Sequence, residues 1–456
     1  MRIAVIALGC PKNLVDTEVM LGLLDEAGHT FTDAAEEADL VIVSTCSFIS
    51  AAVQESSAVV SDCLRLRDAA GPLRGVVVAG CLPQRYGRRT FDIFPGVDAV
   101  VGCSGFGRIV DVVRDVEDGR SVFMVDAAAE LYDETYPRIL GTPGHLAYVK
   151  IADGCDNRCA YCTIPSIRGP LRSRTSESLV REVEALAEAG VREISLIAQD
   201  TTAYGTDIAS PVSLTDLLVS LSQTGAMWIR LLYTHPAHVT EQLLSAIAET
   251  EHVVPYLDMP IQHISDRILT AMGRGVSGDR IRELVGLARD SIPGVSIRSS
   301  VIVGFPGETS EEFEEIRGFL AEGNIDYLGV FEFSPERGTP AFDFGGRIDD
   351  ETSSARAREL VAVMERLAER RGRATTGLDR AVLIDRETLG SDVSQAAGRT
   401  AGQAWETDGE VLIECSGSVP TPGDFVKVTI TGARGFDLTA RLGAPAARAA
   451  DRSETA

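Results

Sequence analysis

"DGCDNRCAYCTIP", Asp153 to Pro165, sets three cysteines, Cys155, Cys159 and Cys162, in the spacing Cys-x3-Cys-x2-Cys. A structural zinc site closes its tetrahedron with four protein ligands. The common iron–sulfur clusters likewise take four thiolates. Three thiolates in one short loop describe a cubane with one iron left for another ligand. The alternative is a zinc loop completed by a distant residue such as His145, since thiolates suit both metals.

The loop follows the run "LAYVKIADG", an apolar stretch of strand character. Downstream, "REISLIAQD", "WIRLLYTH", "YLDMPIQH", "VSIRSSVIVGF" and "YLGVFEFS" repeat that character. Amphipathic helical patterns separate them: "SESLVREVEALAEAG", "LTDLLVSLSQTG", "TEQLLSAIAET", "GDRIRELVGLARD" and "SEEFEEIRGFLAEG". Apolar runs alternating with helices predict parallel β/α units. Six such strands predict a partial (β/α)6 barrel over residues 140–372, closed by the charged helix "DDETSSARARELVAVMERLAERRGRATT". Active sites of β/α barrels lie at the C-terminal ends of the strands, and the cysteine loop is at that end of the first one.

Upstream, residues 1–135 read as a separate parallel α/β domain. Its strands are "RIAVIALGC", "ADLVIVSTC", "RGVVVAGC" and "VDAVVGC". Cys10, Cys46, Cys81 and Cys103 each fall at the end of one of them. In an open parallel sheet the carboxyl ends of the strands line the ligand crevice, so these cysteines are expected to converge. Downstream, residues 375–442 turn to short alternating strands with Gly turns, the pattern of a small β-barrel. The Ala-rich tail 443–456 has little to bury and is expected to be disordered.

The chain of 456 residues carries a net charge of −24. That balance disfavours non-specific nucleic-acid binding, which relies on Lys and Arg, and suits a basic protein partner. Nine cysteines are an odd number without the spacing of a disulfide scaffold. Cys63, in a helical pattern, and Cys415, in a strand of the small barrel, read as core residues. The N-terminus lacks the features of a signal peptide and no apolar run reaches the length of a membrane span. A reduced, cytoplasmic protein is expected.

The contexts "GCPKNLVDTE", "ADLVIVSTCSFI", "GCLPQRY", "KIADGCDNRCAYCTIPSIRGPLRSR", "LIAQDTTAYG" and "VIVGFPGET" resemble the radical S-adenosylmethionine (SAM) methylthiotransferase family over residues 2–442. The final barrel resembles a TRAM domain. The resemblance implies that SAM occupies the open iron of a 4Fe–4S cluster on Cys155, Cys159 and Cys162. It implies a second, auxiliary 4Fe–4S cluster on Cys10, Cys46 and Cys81; Cys103 is a possible fourth ligand by position, but the family pattern does not use it and it reads as a buried thiol. Transfer-RNA enzymes of the MiaB type tend to carry "GCQMN" after the first strand. "GCPKN" here, with "GCLPQRY" and "IAQDTT", resembles the RimO type, which methylthiolates the β-carbon of an aspartate in ribosomal protein uS12. Ser44 departs from the family by replacing an Asn before Thr-Cys; a short polar side chain makes similar local hydrogen bonds.

The same resemblance implies a sequence of two SAM-dependent steps. Sulfur held at the auxiliary cluster accepts a methyl group, and a 5′-deoxyadenosyl radical then abstracts hydrogen from the aspartate. A flavodoxin or ferredoxin-like reductant and a sulfur donor are implied partners. Tyr161, Gln199, Asp200, Arg298 and Gly304 are candidate SAM contacts. For Asp200 a cap, and for Arg298 a structural ion pair, stand as equal alternatives. Glu308 in "GFPGET" is expected in the first turn of the next helix. His235, His238 and His263 read as polar residues of the barrel rim. From Asp379 to Leu442 ten Asp/Glu face six Lys/Arg, which argues for weak or no direct RNA binding. The rival readings are a transfer-RNA base methylthiotransferase and a two-cluster iron–sulfur electron carrier.

Overall fold

The computed structural model describes residues 1–69, 71–126, 131–209, 212–389, 394–415 and 418–442. The expected disorder of 443–456 lies outside the described residues. The N-terminal unit is a six-stranded parallel sheet in the order β2-β1-β3-β4-β5-β6. Its strands are β1 (Arg2–Ala7), β2 (Thr30–Phe31), β3 (Leu40–Thr45), β4 (Gly75–Gly80), β5 (Ala99–Val101) and β6 (Val122–Met124). Leu40, Val41, Ile42 and Val43 have no exposed surface. A strand covered on both faces is apolar at every position rather than at alternate ones. Four strands were legible as such runs; β2 and β6 are edge strands of two and three residues, too short to show a pattern.

The second unit holds β7 (Leu146–Lys150), a short antiparallel pair β8 (Ala152–Asp153) and β9 (Arg172–Ser173), and then β10 (Glu193–Ile197), β11 (Trp228–Leu231), β12 (Tyr256–Asp258), β13 (Ser296–Val303) and β14 (Tyr327–Glu332). Two parallel three-stranded sheets, β7-β10-β11 and β12-β13-β14, meet through the parallel bridge Ile229–Val253. Together they make the expected partial barrel of six strands. Helices Ser176–Glu188, Leu214–Leu221, Glu241–Glu249, Gly278–Ser291 and Ser310–Ala321 provide the crossovers. Most start on side-chain caps. Thr309, for example, accepts from Glu312 N while Glu312 returns a bond to Thr309 N, so two otherwise orphaned amides are satisfied. Their apolar faces pack with the strands in one large core.

The C-terminal unit is a closed five-stranded barrel, β15 (Asp379–Leu389), β16 (Ser394–Arg399), β17 (Val411–Cys415), β18 (Phe425–Arg434) and β19 (Asp437–Leu442), in the order β15-β16-β17-β19-β18. Cys415 is buried in its core, as Cys63 is in the N-terminal one. Buried charges bind this barrel to the central unit. Glu193 lies between Arg230 and Arg399, and Arg399 also holds Asp385. His145 Nε2 meets Asp385 Oδ1 at 2.9 Å. That contact removes His145 as a fourth ligand of the cysteine loop, because His145 faces the small barrel.

Candidate active site

Seven cysteines reach one region by two routes. Cys155, Cys159 and Cys162 sit on a loop that leaves β8 and is stitched down along its length. Cys155 N donates to Gly169 O at 3.1 Å, Cys162 N to Cys159 O at 3.1 Å, and Ala160 N to Met272 O at 2.8 Å. Gly154 has φ +80°, and a Cβ there would lie 2.0 Å from the Pro170 carbonyl oxygen. Only glycine permits both the left-handed turn and that approach. Ile164 N points at Cys162 Sγ at 3.4 Å, and Arg274 Nη1 at Cys159 Sγ at 3.5 Å. Burial pushes the Cys162 thiol up to about 12 and raises that of Cys155. Thiols so raised keep their protons until a metal replaces them, and Arg274 then offsets part of the thiolate charge.

The other cysteines come from four strands that are neighbours in the sheet: β1, β3, β4 and β5. Cys10 follows β1, Cys46 follows β3, Cys81 opens the helix after β4, and Cys103 follows β5. The β1 and β3 exits touch, since a Cβ on Gly9 would lie 2.6 Å from Cys46 Cβ. Ser56 grips Cys46 at both backbone atoms, at 3.1 and 3.0 Å. Asn13 Nδ2 donates to Leu8 O at 2.7 Å and closes the loop that carries Cys10. Burial, then the Cys81 and Cys10 thiolates, push Cys46 up to about 11. Cys103 is half-buried rather than buried, and its Sγ lies 3.8 Å from Cys81 Sγ. The Cys103 thiol hydrogen-bonds to Cys81, which is lowered to about 6, while Cys103 is raised.

The two sets face each other across the interface of the first two units, and Arg168 joins them. It ends the helix Ile164–Arg168 that follows Cys162. Its Nη2 reaches Cys81 Sγ at 3.7 Å, and its Nη1 meets Asp16 at 2.8 Å and Asp153 at 3.1 Å. Lys150 bonds the same two carboxylates. The four-residue network is almost wholly buried. Such networks add less net stability than their Coulomb energy suggests, but they fix one geometry, because losing a partner strands a buried charge.

Around the loop, the remaining candidates have definite partners. The Tyr161 ring packs against Ala160, Ile268, Met272 and Phe305, and burial raises its phenol. Gln199 Nε2 donates to Asp153 Oδ1 at 2.9 Å, and its buried Oε1 has no partner among the described residues. Asp200 accepts from Thr202 N at 3.0 Å as the cap of a short helical turn. It also accepts from Asn157 of the cysteine loop at 2.7 Å and meets His238 Nδ1 at 2.9 Å. It is therefore both a cap and a clasp on the loop. His235 is buried beside Arg274; burial first, then that cation, lower it to about 3, and its Nε2 is unpartnered among the described residues. His263 is buried against Glu308.

Arg298 takes the structural ion pair left open by the sequence. It binds Asp258 at 3.4 Å and Asp408 of the small barrel at 3.2 Å. Gly304 has φ +74°, and a Cβ there would lie 2.2 Å from Ser353 Oγ, so glycine is required by the packing of the helix Asp350–Ala374. Glu308 precedes its helix, whose cap is Thr309, instead of lying in the first turn. Its Oε2 accepts from the amides of Gly304 and Phe305 and so closes the strand-to-helix turn. Sequence reasoning missed Asn157, Arg168 and Arg274. Each acts on a residue far away in the chain, and no local periodicity marks it.

Three loop thiols, an arginine at a thiol of each set, and the buried atoms Gln199 Oε1 and His235 Nε2, unpartnered among the described residues, fit two clusters and a polar ligand beside the loop. Comparison with known proteins agrees with radical SAM chemistry at the loop. Residues 149–320 match the Radical SAM superfamily, 2–102 the uncharacterized protein family UPF0004, and 377–442 the TRAM domain. The chain is 43% identical to the ribosomal protein uS12 methylthiotransferase RimO of Desulforudis audaxviator (strain MP104C), over 97% of each chain. It is 40% identical to the protein of the same name from Pelotomaculum thermopropionicum, over 96% of this chain and 98% of that one. Among solved structures, the radical SAM methyltransferase TsrM of Kitasatospora setae, with cobalamin and a [4Fe-4S] cluster bound, shares the fold at a TM-score of 0.55 and 17% identity, over 75% of this chain and 73% of that one. The chain belongs to the ribosomal protein uS12 methylthiotransferase RimO family.

Proposed function

We propose that this radical SAM methylthiotransferase modifies the β-carbon of an aspartate in ribosomal protein uS12. SAM and a 4Fe–4S cluster on Cys155, Cys159 and Cys162 serve it, with an auxiliary 4Fe–4S cluster on Cys10, Cys46 and Cys81. When bound, the loop cluster would supply the electron for SAM cleavage and the auxiliary cluster would hold the sulfur to be transferred. The observation that carries the reading is Arg168, which ends the helix behind the loop and reaches a thiol of the other set at 3.7 Å. That buried side chain, held by Asp16 and Asp153, ties the helix behind the loop to the dispersed thiols.

The protein's own groups do the rest. Arg274 offsets the charge of Cys159, and Asn157 and Asp200 hold the loop in shape. Gln199, anchored on Asp153, presents its free oxygen as an acceptor beside the loop. Tyr161 and its apolar neighbours exclude water from one flank, which protects a reactive intermediate. The net charge of −24 favours encounter with a basic ribosomal protein, although attraction speeds association more than it selects a partner. No helix among the described residues is long and apolar enough to cross a membrane. A cytoplasmic setting, a flavodoxin or ferredoxin-like reductant and a sulfur donor complete the reading.

Reconstituted enzyme with SAM, sulfide and a reductant, offered uS12 and bulk transfer RNA separately, tests it. A methylthio group is expected on uS12 by mass spectrometry. Modification of the RNA with uS12 left untouched would overturn the assignment.

A further inference from the structure

Lys12, in "GCPKN", is in an unusual position for a lysine. It is the second residue of the helix Pro11–Glu26 and only 8% exposed. The N-terminal end of a helix carries positive partial charge and favours anions. Yet this first turn holds no acidic residue, and its cap, Cys10, makes no side-chain capping bond. A buried ammonium is ordinarily paired with an acceptor. Lys12 makes no hydrogen bond or close ion pair among the described residues; burial lowers its pKa, and Cys10, Asp258 and Asp153 attract it only at longer range. Its Nζ instead stands 3.2 Å from the centroid of the Tyr233 ring. Tyr233 follows β11 at the mouth of the barrel and holds φ +61°, a costly conformation for a bulky residue. Such strain persists where the surroundings dictate the position of the side chain.

The nearest carboxylates are already engaged. Asp258 accepts from Tyr233 N at 2.8 Å and pairs with Arg298, while Asp153 serves Lys150, Arg168 and Gln199. Lys12 therefore brings a cation with no acceptor at bonding distance among the described residues to a helix N-terminus, two residues from Cys10 on one side and against the barrel mouth on the other. We propose that the Lys12 ammonium receives the side-chain carboxylate of the substrate aspartate. This rests on the uS12 reading above. The carbon that takes the methylthio group is bonded to that carboxylate, so a cation that fixes the carboxylate also fixes the reacting carbon between the two thiol sets. Orientation of this kind is a large part of catalysis in any bimolecular step. A site built to pair with a charged group rejects the neutral isostere, because the buried charge is then left alone.

The test compares binding of uS12 with binding of a uS12 whose target aspartate is asparagine, by competition against iron-replete holoenzyme. Wild type is expected to prefer the aspartate form by about 10- to 100-fold, the range of a charge-assisted bond. Lys12→Met, similar in length and uncharged, brings that ratio to near unity, and Lys12→Arg keeps most of it. Iron content is measured in each variant; if Lys12→Met loses iron, Lys12→Gln carries the same comparison. If Lys12 only offset the charge of the Cys10 thiolate, iron would fall while the ratio stayed. An unchanged ratio in an iron-replete variant overturns the proposal. So does a wild type that binds both forms equally yet methylthiolates uS12, and that outcome leaves the uS12 reading standing. A wild type that modifies transfer RNA instead of uS12 overturns both.

Discussion

The two thiol sets solve the same problem in opposite ways. The loop set gathers Cys155, Cys159 and Cys162 within eight residues of chain, so its shape depends on local turns: the left-handed Gly154, the Cys162 N to Cys159 O bond, and the clasp of Asn157 on Asp200. The dispersed set takes one cysteine from each of three adjacent strand ends, spread from Cys10 to Cys81. Its shape depends on the register of a parallel sheet, which the buried core holds. A local site can be damaged by one backbone substitution. A site set by sheet register resists that, and is more sensitive to what packs across the crevice.

The largest contrast is expected in activity. Cys155→Ala should remove SAM cleavage altogether, with 5′-deoxyadenosine below detection by chromatography. Cys46→Ala should leave 5′-deoxyadenosine formation in place while abolishing the methylthio product on uS12. If both variants lost cleavage equally, the two sets would be one functional unit and the comparison would fail.

Stability should respond next. Arg168→Met leaves Asp16 and Asp153 with Lys150 as their one remaining close cation, and is expected to cost about 3–5 kcal/mol in denaturant unfolding under anaerobic conditions. Gly154→Ala forces a Cβ into a left-handed residue and against the Pro170 carbonyl. It should cost roughly 2 kcal/mol or more and lower iron at the loop set before the dispersed one. Equal iron loss from both sets would contradict the local character of the loop. Cys103→Ser should have the smallest effect: iron content unchanged at both sets, despite the 3.8 Å approach of Cys103 to Cys81. A marked drop in iron would make Cys103 a ligand.

How much was legible in the sequence follows the same divide. The loop set was visible from its spacing, although spacing left zinc open and the resemblance to a known family was needed to assign it a cluster. The strands that carry Cys10, Cys46 and Cys81 were legible because central parallel strands are continuously apolar, and their convergence followed from the geometry of strand ends. What escaped acts at long range. Arg168 meets Cys81 from 87 positions away, and Arg274 meets Cys159 from 115. Arg298 was open between a cofactor and an ion pair because Asp408, its partner, comes from another unit folded against the barrel. Lys12 was visible only as a letter in a motif. Its burial and its missing partner are tertiary facts.

The central claim is that the two thiol sets hold separate clusters. Replacing Cys155, Cys159 and Cys162 together by alanine, reconstituting the chain anaerobically and measuring iron and sulfide with Mössbauer spectroscopy tests it most directly. One 4Fe–4S cluster should remain, about four irons per chain, on Cys10, Cys46 and Cys81. A triple variant that retains no iron would contradict the account.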